Sequence, residues 1–456
     1  MSTKNGFIGY LPNDQPPFGR VLLLGLQHVV TMFPATVLVA VYVGFHPSTV
    51  LFASGLATLV ALLLSRWGVG KFIPLYYGSS FSYITAILAI TKVSTGQIAP
   101  DELIRVAQAG IVVTGLLNIL VGAAIHFFGG KKLIDRILPP IITGTVACVI
   151  GFALGFEAMK MSSGVCCGLN GDIRWWVASF VTLVSTIIFS VYLRGKGFWG
   201  MLPILFGAIL GYVVSIPLGL VNFAAITQAP LLSAPHLTLP NFSSSLSMTA
   251  IASIAVMAIA TIPESTAHLY QISLYVDKLA EKLGKDKYNL SRFIGFNLIL
   301  DGIGDMVNGM FGGAAGTNYG ENNSLMVITQ NYSGLSLVVA AVIAILLSFS
   351  GTLTGVIHSI PTAVSGGLAV YLFGVIGMQG IALMISEKVD LFDPRQLAIG
   401  AVIFIIGIGG NIGFPNGFLP IPLLTNIFPS GWPAIATAAV VGILLNGLLQ
   451  IGKKAE

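Results

Sequence analysis

Gly316-Thr317-Asn318-Tyr319-Gly320-Glu321-Asn322-Asn323 interrupts a chain that is otherwise dominated by apolar runs. It joins a glutamate, two adjacent amides and an aromatic ring to glycines that can break a helix. Hydrocarbon accepts a broken helix only where protein or a water-filled cavity covers it. An ionisable residue at that depth marks a functional site by default. A substrate is therefore to be sought here.

The rest of the chain supplies the hydrocarbon setting. Charged residues are 9% of the 456, against about 25% in soluble domains. Apolar residues are 55%, and their runs are continuous rather than alternating, which excludes a β-barrel. The expected fold is an all-α polytopic membrane protein of fourteen segments. Their expected spans are 21–43, 48–65, 72–91, 102–128, 137–158, 173–193, 199–219, 248–275, 291–311, 314–331, 334–350, 356–385, 396–412 and 432–451. Each can cross about 30 Å of hydrocarbon, whole or as a broken helix. The N-terminal 20 residues are polar and do not read as a signal peptide.

Basic residues test that count. With the N-terminus in the cytoplasm, only Lys92, Arg105, Lys160 and Arg174 of the 22 lysines and arginines fall outside. A wrong count would scramble this asymmetry downstream of the error. Both ends are expected inside the cell, in a plasma (inner) membrane. The net charge of +5 thus serves topology and does not indicate nucleic acid.

The longest outer loop, 221–247, divides the chain into seven segments and seven, so the halves run inverted. The first segment of each half carries a proline, Pro34 and Pro263. The third carries a polar break: Tyr77-Gly78-Ser79-Ser80-Phe81-Ser82-Tyr83 in one half, the Gly316 stretch in the other. Interrupted segments at corresponding positions are the best sequence pointer to a transporter's binding site.

Few acids lie within the spans. Glu264 and His268 share one helix face at i and i+4, where a carboxylate and an imidazole suit substrate binding and proton coupling. The alternative is a structural pair locking segment 8 to a neighbour, with Pro263 bending the helix. Glu321 reads as a substrate ligand or as the cap of a half-helix, with Asn322 and Asn323 orienting it. Asp301 and Asp305 read as a structural pair or as an ion or proton site. His28 lines the cavity or bonds a broken helix. His46, His126, His236 and His358 read as loop or interface residues. Ser80, Phe81 and Tyr319 stand at the breaks, where a ring can stack on a flat ligand. Cys148, Cys166 and Cys167 have no metal-binding spacing, and no cofactor, metal or enzyme activity is expected.

Carboxylates accept from N–H groups, half-helix N-termini donate to carbonyls, and aromatics stack on flat rings. A small planar molecule alternating N–H and C=O satisfies all three, and a nucleobase is the natural candidate. An inorganic anion fits badly, because no lysine or arginine lies in the middle of a span.

At these residues the chain resembles the nucleobase–ascorbate transporter family (nucleobase:cation symporter 2), on its bacterial uracil permease side. The stretches that carry the resemblance are Leu26-Gln27-His28, Tyr77-Gly78-Ser79-Ser80-Phe81, Pro263-Glu264 through His268, Tyr319-Gly320-Glu321-Asn322, Ile360-Pro361 and Phe373-Gly374-Val375. The resemblance implies proton-coupled import, with sodium the lesser expectation, by two inverted repeats. It implies a core domain (21–132 and 248–352) working against a gate domain (133–220 and 353–456), with short strands in segments 3 and 10. A homodimer through the gate is implied as well. Phe81, Glu264, Gly320 and Glu321 would bind the base, His268 would help couple protons, and Phe373 would stand at the gate. Glutamate at 321 favours pyrimidines over xanthine or urate. The pattern departs at Ser324, where the family has glycine, and at Gln330, where it has a basic residue. A purine or ascorbate carrier, and an anion exchanger or channel on the same scaffold, are the alternatives.

Overall fold

The computed structural model describes residues 9–93, 96–128, 139–169, 171–193, 202–422 and 431–451. The first half opens with α1 (Phe18–Val43) and α2 (Pro47–Val69), continues through strand β1 (Tyr77–Ser79) and a turn of 3-10 helix (Phe81–Tyr83) into α3 (Ile84–Thr91), and then α4 (Asp101–Phe128). It ends with α5 (Pro140–Ser163), α6 (Ile173–Tyr192) and α7 (Pro203–Ser215). After the short α8 (Ala224–Thr227) come α9 (Ser247–Ala255), α10 (Ala258–Lys282) and α11 (Ile294–Phe311). Strand β2 (Gly316–Asn318) then leads into α12 (Gly320–Thr329), α13 (Gly334–Leu347), α14 (Gly351–Ser359) and α15 (Thr362–Ser386). The chain closes with α16 (Pro394–Phe404), a π turn into α17 (Gly410–Gly413), a small pairing of β3 (Phe418–Leu419) with β4 (Trp432–Pro433), and α18 (Ala434–Leu448).

All fourteen expected crossings have helical counterparts. Among the described residues seven helices are long and apolar enough to cross a membrane on their own, and four more are apolar but shorter. The chain is a multi-pass membrane protein. The three crossings outside both groups are α9–α10, α11 and α12. These three carry Glu264 and His268, Asp301 and Asp305, and Glu321. Polar cargo, rather than a missing crossing, lowers their hydropathy.

Packing reveals the repeat. Number the crossings 1 to 14 and exchange n with n+7. The extensive α4–α11 contact (4 with 9) then maps onto α13–α2 (11 with 2), and α9–α4 onto α1–α13. Likewise α6–α7 maps onto α16–α18, and α6–α15 onto α5–α16. The α5–α15 contact and the β1–β2 pairing map onto themselves, which places both on the pseudo-twofold axis. Crossings 1–4 and 8–11 pack mainly with one another, as do 5–7 and 12–14.

One expected segment divides. The segment expected at 356–385 is two helices, α14 and α15, parted at Ile360-Pro361. Proline lacks the N–H that would continue the helix, and its ring pushes the preceding residue out of the helical region; Ile360 has ψ 119°. The expected core–gate boundary at 352/353 falls inside α14, and the one at 132/133 lies outside the described residues. Segment 8 was expected to bend at Pro263. The helix α10 runs through Pro263, and an interruption lies upstream at Val256-Met257.

Candidate functional site

The two breaks meet. Strands β1 and β2 pair antiparallel, with Tyr77 opposite Asn318, Gly78 opposite Thr317 and Ser79 opposite Gly316. A side chain on Gly78 would lie 2.5 Å from the Tyr319 ring, and one on Gly316 would strike the Gly78 carbonyl. Only glycine lets the two backbones cross this closely. From the crossing the chains diverge into two half-helices, one starting at Phe81 and the other at Gly320. The first N–H groups of a helix have no partner within it, so both starts present donors to the same region.

Glu264, from α10, and Glu321, in the first turn of α12, are both partly buried at this crossing. Neither carboxylate accepts a hydrogen bond from any described side chain. Two carboxylates left without side-chain donors suit a ligand that brings its own N–H groups.

His268 is fixed beside them. Its Nδ1 lies 2.9 Å from the Asn318 carbonyl and 2.7 Å from Asn318 Oδ1. A carbonyl oxygen only accepts, so Nδ1 carries a proton, and it is Nε2 that gains or loses one as the ring titrates. A Cβ on Gly320 would come within 2.9 Å of that Nε2. Gly320 thus opens the approach between the imidazole and the start of α12. No hydrogen bond joins His268 to Glu264; although they share a helix face, the imidazole is turned to Asn318.

Asn318 is the hub of a buried network that sequence reading quoted but gave no role. Its Nδ2 donates to Ser265 Oγ (2.7 Å) and Asp301 Oδ1 (3.4 Å). Ser265 also donates to Asp301 and accepts from Asn297, whose Oδ1 accepts from the Tyr77 hydroxyl (3.1 Å). The network ties α10, α11 and both strands together. Asp305 engages different partners: Oδ1 accepts from the Gly316 N–H (2.7 Å) and Oδ2 from Asn118 Nδ2 (3.1 Å). The two acids of α11 therefore hold β2 from two points. A satisfied buried network rigidifies what it touches.

The remaining expected residues divide. Phe81 packs edge-on to Phe373 of α15, with centroids 5.8 Å apart, and Phe373 packs on Tyr42 of α1. The structure brings Phe81 and Phe373 together. Ser80 caps the turn that follows it by accepting from the Ser82 N–H (3.2 Å). Tyr319 is buried, stacked on Tyr76, and its hydroxyl meets Thr36 (2.8 Å) and Ser79 (3.3 Å). Its ring braces the crossing from behind. His28 is fully buried, and its Nδ1 accepts from Asn322 Nδ2 (3.1 Å), which locks α1 to α12. Asn323 makes one long contact to the His268 carbonyl (3.5 Å). Ser324 is exposed and bonds back to the Gly320 carbonyl, and Gln330 ends α12 in the left-handed region.

A cavity of 460 Å³ opens elsewhere, between the ends of α1, α5 and α14; Phe45, Gln97, Cys166, Cys167 and His358 help line it. It does not reach the carboxylates. The candidate site rests on the converging helix starts and the two carboxylates, not on this void.

A family model described as "Permease family" matches residues 19–415. The chain is 34% identical over 439 residues to the uracil permease of Bacillus caldolyticus, covering 96% of this chain and 93% of that one. It is 33% identical to the uracil permease of Bacillus subtilis (strain 168), covering 100% and 98%. The uracil permease of Escherichia coli (strain K12) is also 33% identical, over 96% and 93%. Among solved structures, the transmembrane domain of the cyanobacterial bicarbonate transporter BicA aligns with a TM-score of 0.59 at 14% identity, covering 96% of this chain and all of that one. The murine Slc26a9 anion transporter in its inward-facing state aligns at 0.63 and 12%, covering 96% and 69%. These structures establish the shared inverted-repeat fold, and the sequence matches go further: the chain belongs to the nucleobase–ascorbate transporter family.

Proposed function

We propose that this protein imports uracil, or a closely related pyrimidine base, across the plasma membrane together with protons. The observation that carries the reading is the pair of carboxylates, Glu264 and Glu321, left without side-chain donors where two half-helices start. Glu264 and Glu321 accept the ring N–H groups. The N–H groups near Phe81 and Gly320 meet the ring carbonyls, and Phe81 stacks on the base. The three relatives named uracil permease support the same substrate. Anion transporters share the fold, but two acids at the crossing repel an anion.

Glu264 and His268 carry the coupled proton. The His268 tautomer supports this role, because a free Nε2 facing Gly320 is a proton acceptor aimed at the ligand region. Crossings 1–4 and 8–11 act as the core that carries the base past a gate of crossings 5–7 and 12–14. The Tyr42–Phe373–Phe81 aromatic contacts, with the Tyr42 hydroxyl 3.0 Å from the Ser365 carbonyl, close one side of the site between these two parts. Both termini face the cytoplasm, the reading adds no cofactor or catalysis, and a homodimer would form through the gate.

A ligand panel on purified protein tests the reading. Uracil should raise the melting temperature in a saturable way, with thymine weaker and xanthine, urate, ascorbate, bicarbonate and chloride near baseline. A larger shift by xanthine or an anion than by uracil would refute the substrate assignment.

A further inference from the structure

Three residues far apart in sequence meet at the other end of the fold from the N-terminus of α1. His46 lies in the turn between α1 and α2, Asp101 opens α4, and His236 lies in the long mid-chain loop. His236 Nε2 lies 2.8 Å from Asp101 Oδ2, and His46 Nε2 lies 4.0 Å from Asp101 Oδ1. The imidazole centroids are 4.4 Å apart. All three donor atoms lie within 4.8 Å of one another.

We propose that His46, Asp101 and His236 bind one zinc ion, which staples the mid-chain loop to the outer end of the first repeat. Two imidazoles and one carboxylate, with a fourth position open to water, form a common zinc donor set. Tetrahedral zinc needs donor–donor spacings of about 3.3 Å, from metal bonds of about 2.0–2.1 Å. The present spacings of 2.8 and 4.0 Å bracket that value, and the side chains that must adjust are partly exposed: 27% for His46, 52% for Asp101 and 49% for His236.

The backbones beneath them are already held. The His236 carbonyl accepts from Thr49 Oγ1 of α2 (2.9 Å). Two residues on, Thr238 and Gln108 of α4 exchange two hydrogen bonds, 2.6 and 2.8 Å. Arg105 of α4 donates to the Leu239 carbonyl (3.1 Å), and its own carbonyl accepts from the Asn241 N–H (2.8 Å). The loop therefore presents His236 to Asp101 without further ordering, which is the condition for useful affinity. A plain hydrogen bond between His236 and Asp101 accounts for two of the residues but not for the His46 imidazole, which makes no hydrogen bond with a described residue; the His46 carbonyl accepts from the Val50 N–H.

The test is zinc binding by the full-length protein, stripped of metal and titrated against a competing fluorescent chelator. The wild type should bind one equivalent saturably and melt at a higher temperature with zinc. H46Q and H236Q should each weaken binding by roughly tenfold or more and lose the melting shift. H46Q removes no described hydrogen bond, so its fold is expected to be intact. C166S/C167S should leave both readouts unchanged. The proposal is overturned by the absence of a saturable equivalent, by unchanged affinity in H46Q, or by loss of binding in the cysteine variant alone. Uracil binding by H46Q should be normal, which separates this site from the transport reading.

Discussion

At the first helix break the Tyr77 carbonyl accepts from Ser54 and Thr58 of α2, at 2.8 and 2.9 Å, and the Tyr77 N–H returns to the Thr58 hydroxyl. At the second, the Gly316 N–H is held by the Asp305 carboxylate and Asn318 by His268, Ser265 and Asp301. The backbone plan is the same in both repeats: a short strand, a crossing at glycine and a half-helix. Neutral hydroxyls clamp one, and acids and an imidazole clamp the other. The first break offers a ring at Phe81, and the second offers a carboxylate at Glu321, with Glu264 and His268 beside it. A duplicated scaffold thus carries an asymmetric site. In the proposed reading, the half that meets the ligand's N–H groups is also the half wired to titratable residues, so binding and protonation fall in the same repeat.

Substitutions can break this contrast. Glu321→Gln and Glu264→Gln each present an amide N–H where the base donates, and should weaken uracil binding by about 100-fold or more. Phe81→Ala should cost about tenfold, the value of one aromatic contact. Isothermal titration that ranks Phe81→Ala above either glutamate variant would reverse the assignment of the two breaks. Next in size is the crossing itself. Gly78→Ala drives a methyl group into the Tyr319 ring and should destabilise the fold by about 1–3 kcal/mol, read as a lower melting temperature.

The clamps differ on a smaller scale. Asp305→Asn turns an acceptor into a donor facing Asn118 Nδ2 and should cost about 1–3 kcal/mol. Adding Asn118→Asp restores a matched pair and should recover most of it; no recovery would show that the contact to Asn118 is not what Asp305 contributes. Thr58→Val leaves both Tyr77 backbone groups short of a partner, at about 1–2 kcal/mol. Smallest is Ser324→Gly. The side chain is exposed and bonds only to its own helix, so uracil affinity should change less than about twofold. A switch toward xanthine in that variant would move specificity from the carboxylates to the tail of α12.

Much of this site could be read from the chain because hydrocarbon makes polar residues conspicuous. Glu264, Glu321 and the two glycine-bearing breaks stand out against apolar neighbours, and the basic residues number the crossings. What could not be read is who bonds to whom. Asn318 sits in the quoted stretch, yet its partners Ser265, His268 and Asp301 arrive from α10 and α11 through the packing of distant segments. Asp305 read as half of a pair with Asp301 or as an ion or proton site; its partners, the Gly316 N–H and Asn118, come from β2 and α4. Tyr319 looked like a stacking platform, but Tyr76, Thr36 and Ser79 already occupy its ring and hydroxyl. The cluster at His46, Asp101 and His236 spans three segments with no spacing rule to connect them. Ile360-Pro361 was readable in principle, since proline ends a helix, but the apolar run around it hid the stop.

The most direct test of the central claim is uptake of labelled uracil into proteoliposomes with an imposed ion gradient. An inward proton gradient should drive accumulation above equilibrium in the wild type, an inward sodium gradient should not, and Glu264→Gln should abolish the driven component. Accumulation that follows sodium, or proton-driven uptake that survives in Glu264→Gln, would contradict the account.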